Sequence, residues 1–594
     1  MDGQRVRLKT WISALVALTA LSSGPAAAQT TRDYFTGRAA QNAAPRQLDQ
    51  AEREYYGAVF AAIDRQDWTG AQALLAQRDG GLLHAAALAE LYLAAGSPRV
   101  ELPQIEAWMP RGRELPQAEQ LARLAVTRGA SGMPDLPYAQ QFYATGGTPK
   151  RTRPRSVDDG TMPATVREAI LERIDNDDPD GARLLLDGID ASLSAEARAE
   201  WRQRVAWSYY IENLDAQALG LAATVSAGSG PWVAEGDWTM GLAAWRLGDC
   251  DQAGQGFERA AYGATNPELR AAAQYWASRA ALRCRQPGRS NEFLHAAATA
   301  DETLYGMLAA EQLALALPER VGRADFGAED WQRVGRYENV RVAIALAEIG
   351  RDKLSSDVLL QQARIGDPGD YDALSRLARD LGLPSTQLYM AHNAPSGGAA
   401  DPASQYPAPR WVPTTGWRVD PALAYAHTLQ ESNFRAEAVS PAKAQGLMQI
   451  TPITVRQHAP GLGLSASQVD IFNPAVNLAF GQQNLEMLRD APATGGALPK
   501  IMAAYNAGLT PVTRWNYEVH DQGDPLLYME SIPYWETRSY VAIVMKNYWM
   551  YERQAHAASA SRAALAANTW PGFPSAEQGS GRVYLSAQAG AGPR

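Results

Sequence analysis

Residues 238–300 read WTMGLAAWRLGDCDQAGQGFERAAYGATNPELRAAAQYWASRAALRCRQPGRSNEFLHAAATA, and their spacing decides the architecture. Apolar residues return every three or four positions, the period of a helix with one buried face. A helix over Trp238–Leu247 ends at Gly248-Asp249, and a second runs from Asp251 to about Tyr262, with Gly263 as its stop. The pair then recurs as Glu268–Leu282, a turn at Gln286-Pro287-Gly288, and Asn291–Ala300. A single helical hairpin cannot bury its own apolar face, so consecutive pairs must stack.

The period is about 34 residues, the length of a tetratricopeptide unit. Working outward, Ala, Leu, Glu and Arg dominate from Gln47 to Met390, and Ala51–Arg65 with Trp68–Gln77 reads as another hairpin, joined at Gln66-Asp67. The expected fold is therefore all-α: a helical-hairpin superhelix, followed by the different pattern described below. Cys250 and Cys284 occupy matching turns of consecutive repeats. In an exported chain they are expected to bond, adding about 3–4 kcal/mol in the chain-entropy model. Two free buried thiols are the alternative, since equivalent points on stacked repeats can lie beyond bridging distance.

Composition narrows the function. The 594 residues are 46% hydrophobic and 20% charged, the balance of a folded chain, and too many for one core. Lys+Arg 55 against Asp+Glu 64 leaves a net charge of −9, which argues against nucleic acid or an anionic membrane as partner. Two cysteines cannot make a disulfide scaffold, no Cys/His cluster has zinc spacing, and no metal or organic cofactor is implied. Arg5, Arg7 and Lys9 precede an apolar run from Trp11 to Leu21 and the small residues Ala26-Ala27-Ala28, an export signal cleaved after Ala28. Its loss, which takes Asp2 with the three cations, moves the net charge from −9 to −11. The run is too short to span a bilayer and no cysteine follows it, so the sequence points to the periplasm without a membrane anchor.

Two Pro/Gly-rich breaks divide the rest: a loop at 129–163 within the array, and a linker or wrapping segment at 392–415. The expected organisation is a signal peptide (1–28), an α-superhelical region (29–391), that linker, a catalytic domain (416–555) and a low-complexity tail (556–594).

Chemistry concentrates between Trp411 and Tyr551. Asp420-Pro421 opens a helix that reaches Glu431-Ser432-Asn433-Phe434. Downstream lie Ser440-Pro441-Ala442-Lys443-Ala444-Gln445-Gly446-Leu447-Met448-Gln449, Ala504-Tyr505-Asn506-Ala507-Gly508 and Ser531-Ile532-Pro533-Tyr534-Trp535-Glu536-Thr537-Arg538. With these motifs in this order, residues 422–551 resemble the soluble lytic murein transglycosylases, which carry a goose-lysozyme-like domain behind a helical superhelix. Thr451 and Leu429 depart from the residues common in that family.

The resemblance implies cleavage of the β-1,4 bond between N-acetylmuramic acid and N-acetylglucosamine with formation of 1,6-anhydromuramyl ends. It makes Glu431 the acid, then the base. It implies that Ser440 and Gln449 contact N-acetyl groups, that Met448 and Asn506 face the substrate, that the Tyr505 hydroxyl orients Glu431 or the acetamide, and that Glu536 lines the cleft. For Glu536 an ion pair with Arg538 or a lysine is the competing reading. Arg538 itself is expected to be structural, and Asn473, Asn477 and Gly481 form one helical stripe for capping and close packing. Peptidoglycan strands are the implied partner, with cell-wall synthesis proteins as candidates beyond them.

The residues make chemical sense by themselves. Glycosidic cleavage needs an acid for the leaving oxygen and a group to stabilise the oxocarbenium-like centre. Glu431 is the only carboxylate in its motif, which suggests that an N-acetylated sugar supplies the second group. Burial against Leu447, Met448 and Phe434 would raise the Glu431 carboxyl, and His427, one turn earlier, should be neutral or turned away. A lysozyme-like hydrolase and a non-catalytic helical scaffold are the alternatives.

Overall fold

The computed structural model describes residues 30–39, 43–318 and 325–574; the expected signal peptide and residues 575–594 of the expected tail lie outside them. Among the described residues the chain forms 28 α-helices and one two-stranded sheet. No helix there is long and apolar enough to cross a membrane.

The repeat quoted above forms Trp232–Leu247, Cys250–Gly263, Pro267–Arg283 and Pro287–Ala298. Two boundaries differ from the sequence reading. Gly263 is the last helical residue rather than a stop, and Pro287-Gly288 opens the next helix, because proline at the first helical position has no amide to leave unbonded. Trp238, Trp276 and Phe257 interlock between neighbouring hairpins, with ring centroids 5.3–6.4 Å apart. Cys250 and Cys284 are joined by a disulfide, their Cα atoms 5.6 Å apart.

The array turns back on itself. Its first helices, between residues 48 and 125, share one core with residues 326–394. Arg351 clasps Asp64 with two bonds of 2.7 and 3.0 Å, and Glu348 accepts from the Gln47 and Leu48 amides. The middle of the array, residues 170–309, instead shares a core with residues 417–565.

Six helices build or brace the site: α1 (Thr31–Ala39), α2 (Pro421–Ser432), α3 (Pro474–Asp490), α4 (Leu498–Ala507), α5 (Trp535–Gln554) and α6 (Ala560–Ala566). The break at 129–163 is a strap rather than a free loop. Its strand β1 (Phe142–Ala144) pairs antiparallel with β2 (Asn393–Pro395), and Arg151 reaches Glu235 of the array at 2.7 Å. Segment 392–415 wraps the molecule: Asp401 meets Arg376, and the carbonyls of Pro407 and Pro409 accept from Tyr551 and Tyr425.

The segment expected as a low-complexity tail is folded and packed over its described part, residues 556–574. Ser559 caps α6, Leu565 is fully buried, and Phe573 and Leu498 exchange backbone bonds with Gly496 and Pro571. Trp570 and Phe573 supply apolar area that its Ala/Ser composition conceals.

Candidate active site

Helix α2 is fixed at both ends. At its start, Asp420 accepts from the Ala422 amide, and Pro421 occupies the first helical position. Asp420 also accepts from Thr31 of α1 (2.6 Å) and Tyr548 of α5 (2.9 Å), while burial pushes its carboxyl upward. At its end, Asn433 (φ 51°) and Phe434 (φ 60°) both adopt left-handed backbone, unusual for a bulky residue. Phe434 is held there by burial against Tyr425 and Trp411. Glu431 thus sits in the last turn, half-buried, beside a sharply redirected chain.

Its carboxylate meets Tyr540, whose hydroxyl donates to Oε1 at 2.6 Å. Burial raises the Glu431 carboxyl to about 7; the Tyr540 bond opposes this and the Glu536 charge adds to it. His427 lies behind Tyr540, its Nδ1 2.8 Å from the same hydroxyl. The ring is fully buried, and burial pulls it down to about 3, so it is neutral at physiological pH. With the Tyr540 proton directed to Glu431, Nδ1 carries the hydrogen; Nε2 has no hydrogen-bond partner among the described residues.

The loop 440–450 closes the site and is tied down by α3. Asn477 donates to the carbonyls of Gln445 and Ile471 and accepts from the Met448 amide. Asn473 caps the helix, accepting from Ala475 and Val476. Gly446 (φ +74°) leaves no room for a Cβ against the Asn477 amide, and Gly481 leaves none against the Met448 sulfur. The stripe of Asn473, Asn477 and Gly481 therefore anchors this loop.

Two expectations change here. Met448, expected to face substrate, is fully buried over Gly481, and what it offers inward is its carbonyl, which accepts from Tyr505 at 2.8 Å. Tyr505 does not bond Glu431. That position belongs to Tyr540, because the Tyr505 hydroxyl is committed to the loop while its ring packs on His427 at 4.6 Å.

Ser440 and Gln449 bond their own loop: Ser440 Oγ accepts from Ala444, and the Gln449 amide donates to Gly446 and Ala438. Asn506 accepts from Thr537, which joins α4 to α5. Glu536 is exposed in the first turn of α5 and makes no ion pair among the described residues. Arg538 points the other way; it is buried, donates to the Ile532 carbonyl and stacks on Trp207 and Trp535.

Tyr540 is the residue that sequence reasoning missed. Its signal was its place four residues after Glu536 and three after Thr537, on one face of the helix opened by the fourth motif.

The model of the transglycosylase SLT domain family matches residues 412–527. This stretch holds α2, the loop, α3 and α4. Residues 412–527 are thus similar to the transglycosylase SLT domain, and are called the SLT domain below. Outside the SLT domain, α5 completes the site with Tyr540.

Among curated relatives, a putative soluble lytic murein transglycosylase of Haemophilus influenzae is 33% identical over 135 residues, 23% of this chain and 22% of its own length. The soluble lytic murein transglycosylase of Escherichia coli K12 is 31% identical over 134 residues, 22% of this chain and 20% of its own length. The chain thus spans about a fifth of the length of the curated relatives it matches.

The fold likeness is wider than the SLT domain. A 70-kDa soluble lytic transglycosylase solved in complex with bulgecin A superimposes with a TM-score of 0.59 at 16% identity, over 89% of this chain and 100% of that one. The crystal structure of the Escherichia coli 70-kDa enzyme gives 0.52 at 14% identity, over 88% and 99%. The superhelix and the SLT domain therefore belong to one shared architecture.

Proposed function

We propose that this chain is a peptidoglycan lytic transglycosylase, cleaving between N-acetylmuramic acid and N-acetylglucosamine and leaving 1,6-anhydromuramyl ends. The observation that carries the reading is Glu431: a half-buried carboxyl raised to about 7, with one oxygen held by Tyr540. A group with that affinity serves as acid and base at neutral pH, as the reaction requires in turn.

With Oε1 accepting from Tyr540, Oε2 carries the proton. Glu431 delivers it to the glycosidic oxygen as the bond to the muramyl anomeric carbon breaks, and the N-acetylglucosamine hydroxyl leaves. The muramyl acetamide oxygen attacks that carbon and forms an oxazolinium ion, the substrate supplying the second group. The Glu431 carboxylate then takes the proton of the muramyl 6-hydroxyl. Oxygen 6 closes on the anomeric carbon, the oxazolinium opens, and Glu431 is again protonated. No water is consumed.

Neutral His427 suits this cycle, since an imidazolium behind Tyr540 would hold Glu431 ionised and weaken it as an acid. The export signal expected over residues 1–28 supports a periplasmic site of action, and the Cys250–Cys284 disulfide fits an oxidising compartment.

One observation favours a second reading. Glu536 is an exposed acid without an ion-pair partner among the described residues, and its charge reaches Glu431, so it can activate water and turn the site into a hydrolase. Mass spectrometry of sacculus digests separates the two. Anhydro ends support transglycosylation, reducing ends support hydrolysis, and absence of both overturns both.

A further inference from the structure

The face of α5 opposite Tyr540 borders a cavity of about 410 Å³ between residues 529–543 and the superhelix. That volume lies within the roughly 300–1,000 Å³ of small-ligand sites. Its aromatic walls include Trp207 and Trp238 from the array and Trp535 from α5, and its cations are Arg151 and Arg153 from the strap, Arg538 from α5 and Arg204 from the array, the last paired with Glu200.

These cations are unequally compensated. Arg151 is paired with Glu235, and nearby Glu530 accepts from Tyr305 at 2.7 Å. Arg153 makes no hydrogen bond or ion pair among the described residues, and its guanidinium lies 4.4 Å over the Trp535 ring. Among the described residues Arg538 donates to the Ile532 carbonyl alone, and it lies 4.1 Å from the Trp207 ring centre. Burial, together with the charges of Arg204 and Arg151, pulls Arg153 down to about 10, and burial with the charge of Arg153 pulls Arg538 down to about 9. Both remain cationic at neutral pH while short of negative charge, and a guanidinium in this condition binds a carboxylate well. Acids gather elsewhere on the lining: Asp175, Asp177 and Glu212. Burial and the Asp177 charge raise the Glu212 carboxyl, the mark of a spot with excess negative charge.

We propose that this cavity is a second binding site for a zwitterionic peptide, its carboxylates on Arg153 and Arg538, its ammonium toward Asp177 and Glu212, and its aliphatic body against the tryptophans. Given the substrate assigned to Glu431, on which this step rests, the ligand is the stem peptide carried by the glycan strand. The site gives peptide-bearing strands an anchor that bare glycan lacks, on the back of the helix that presents Tyr540 to the acid.

The test titrates the full chain with a free diaminopimelate-containing tripeptide at low salt, followed by tryptophan fluorescence and calorimetry. Arg153→Met and Asp177→Asn suit it, because neither residue touches the Glu431 cluster. Saturable binding by wild type, weakened at least tenfold in each variant and abolished when the peptide carboxylates are amidated, supports the site. In turnover, both variants should cleave peptide-free glycan as wild type does and show a raised KM with unchanged kcat on peptide-bearing strands. Absence of saturable binding, equal binding by wild type and Arg153→Met, or equal binding of the amidated peptide overturns the proposal. The titration is independent of turnover, so failure to release anhydro products would count against the assigned reaction and leave the peptide result to be judged separately.

Discussion

The Tyr540 hydroxyl donates to Glu431 Oε1 at 2.6 Å across a sequence separation of 109 residues, and the same hydroxyl touches the ring of His427. The acid thus has one bonded neighbour that steadies it without adding charge. Removing Glu431 as Glu431→Gln keeps the shape and removes the proton. Release of anhydro products should fall by about 10³-fold or more, with an unchanged circular dichroism spectrum. Substantial residual turnover would place the acid elsewhere.

Tyr540→Phe deletes a bond that favours the ionised carboxylate, so the Glu431 pKa should rise above its present value of about 7. The alkaline limb of the pH–rate profile then moves to higher pH, while kcat drops by about tenfold from lost orientation. An unshifted limb would show that the hydroxyl does not govern this titration.

The same carboxyl affects stability. Glu431 holds its proton more tightly when folded (about 7) than an ordinary glutamate does (4.5). Its contribution is present in full below the unfolded value and is lost as pH rises through the folded one. Glu431→Gln should therefore gain about 1–3 kcal/mol over wild type at pH 8 and nothing at pH 4. Urea unfolding at both pH values reads the difference.

Replacing Cys250 and Cys284 by serine opens a loop with a sequence separation of 34 in the superhelix, far from the acid in the chain. A loss of about 3–4 kcal/mol is expected, seen as a lower Tm, with kcat retained. A matching loss of kcat at low temperature would mean that the array shapes the cleft directly.

Gly446→Ala puts a methyl group against the Asn477 amide on a left-handed backbone. The loop must give up its bond to α3, and both stability (about 1–3 kcal/mol) and kcat should fall together. Asn477→Ala should do the same, and the double variant should cost little more than either single one.

The superhelix was legible because its signal is local: a helical period, repeated at a fixed interval, with Asp249 and Asn266 capping successive helices. Glu431 was legible for a similar reason, since its motif reports a helix end and a following turn. Tyr540 was not, because its meeting with Glu431 depends on how α5 crosses α2, which no short window encodes. Tyr505 drew the assignment instead, being an aromatic within a motif, yet the Met448 carbonyl claims its hydroxyl. The packing of the tail's described part was not legible because composition counts residues without weighing them: two aromatic rings and one cap outweigh a run of alanines.

Asp420, at the head of the acid's helix, is gripped by Thr31 from near the beginning of the chain and by Tyr548 from near its end. The helix that carries Glu431 is therefore anchored only once segments from both sides of the superhelix have folded onto it. A molecule clipped between Thr31 and α2 therefore keeps Glu431 but loosens one of the two clasps on its helix. Excising the recognisable 412–527 segment would likewise leave behind both clasps and Tyr540 itself.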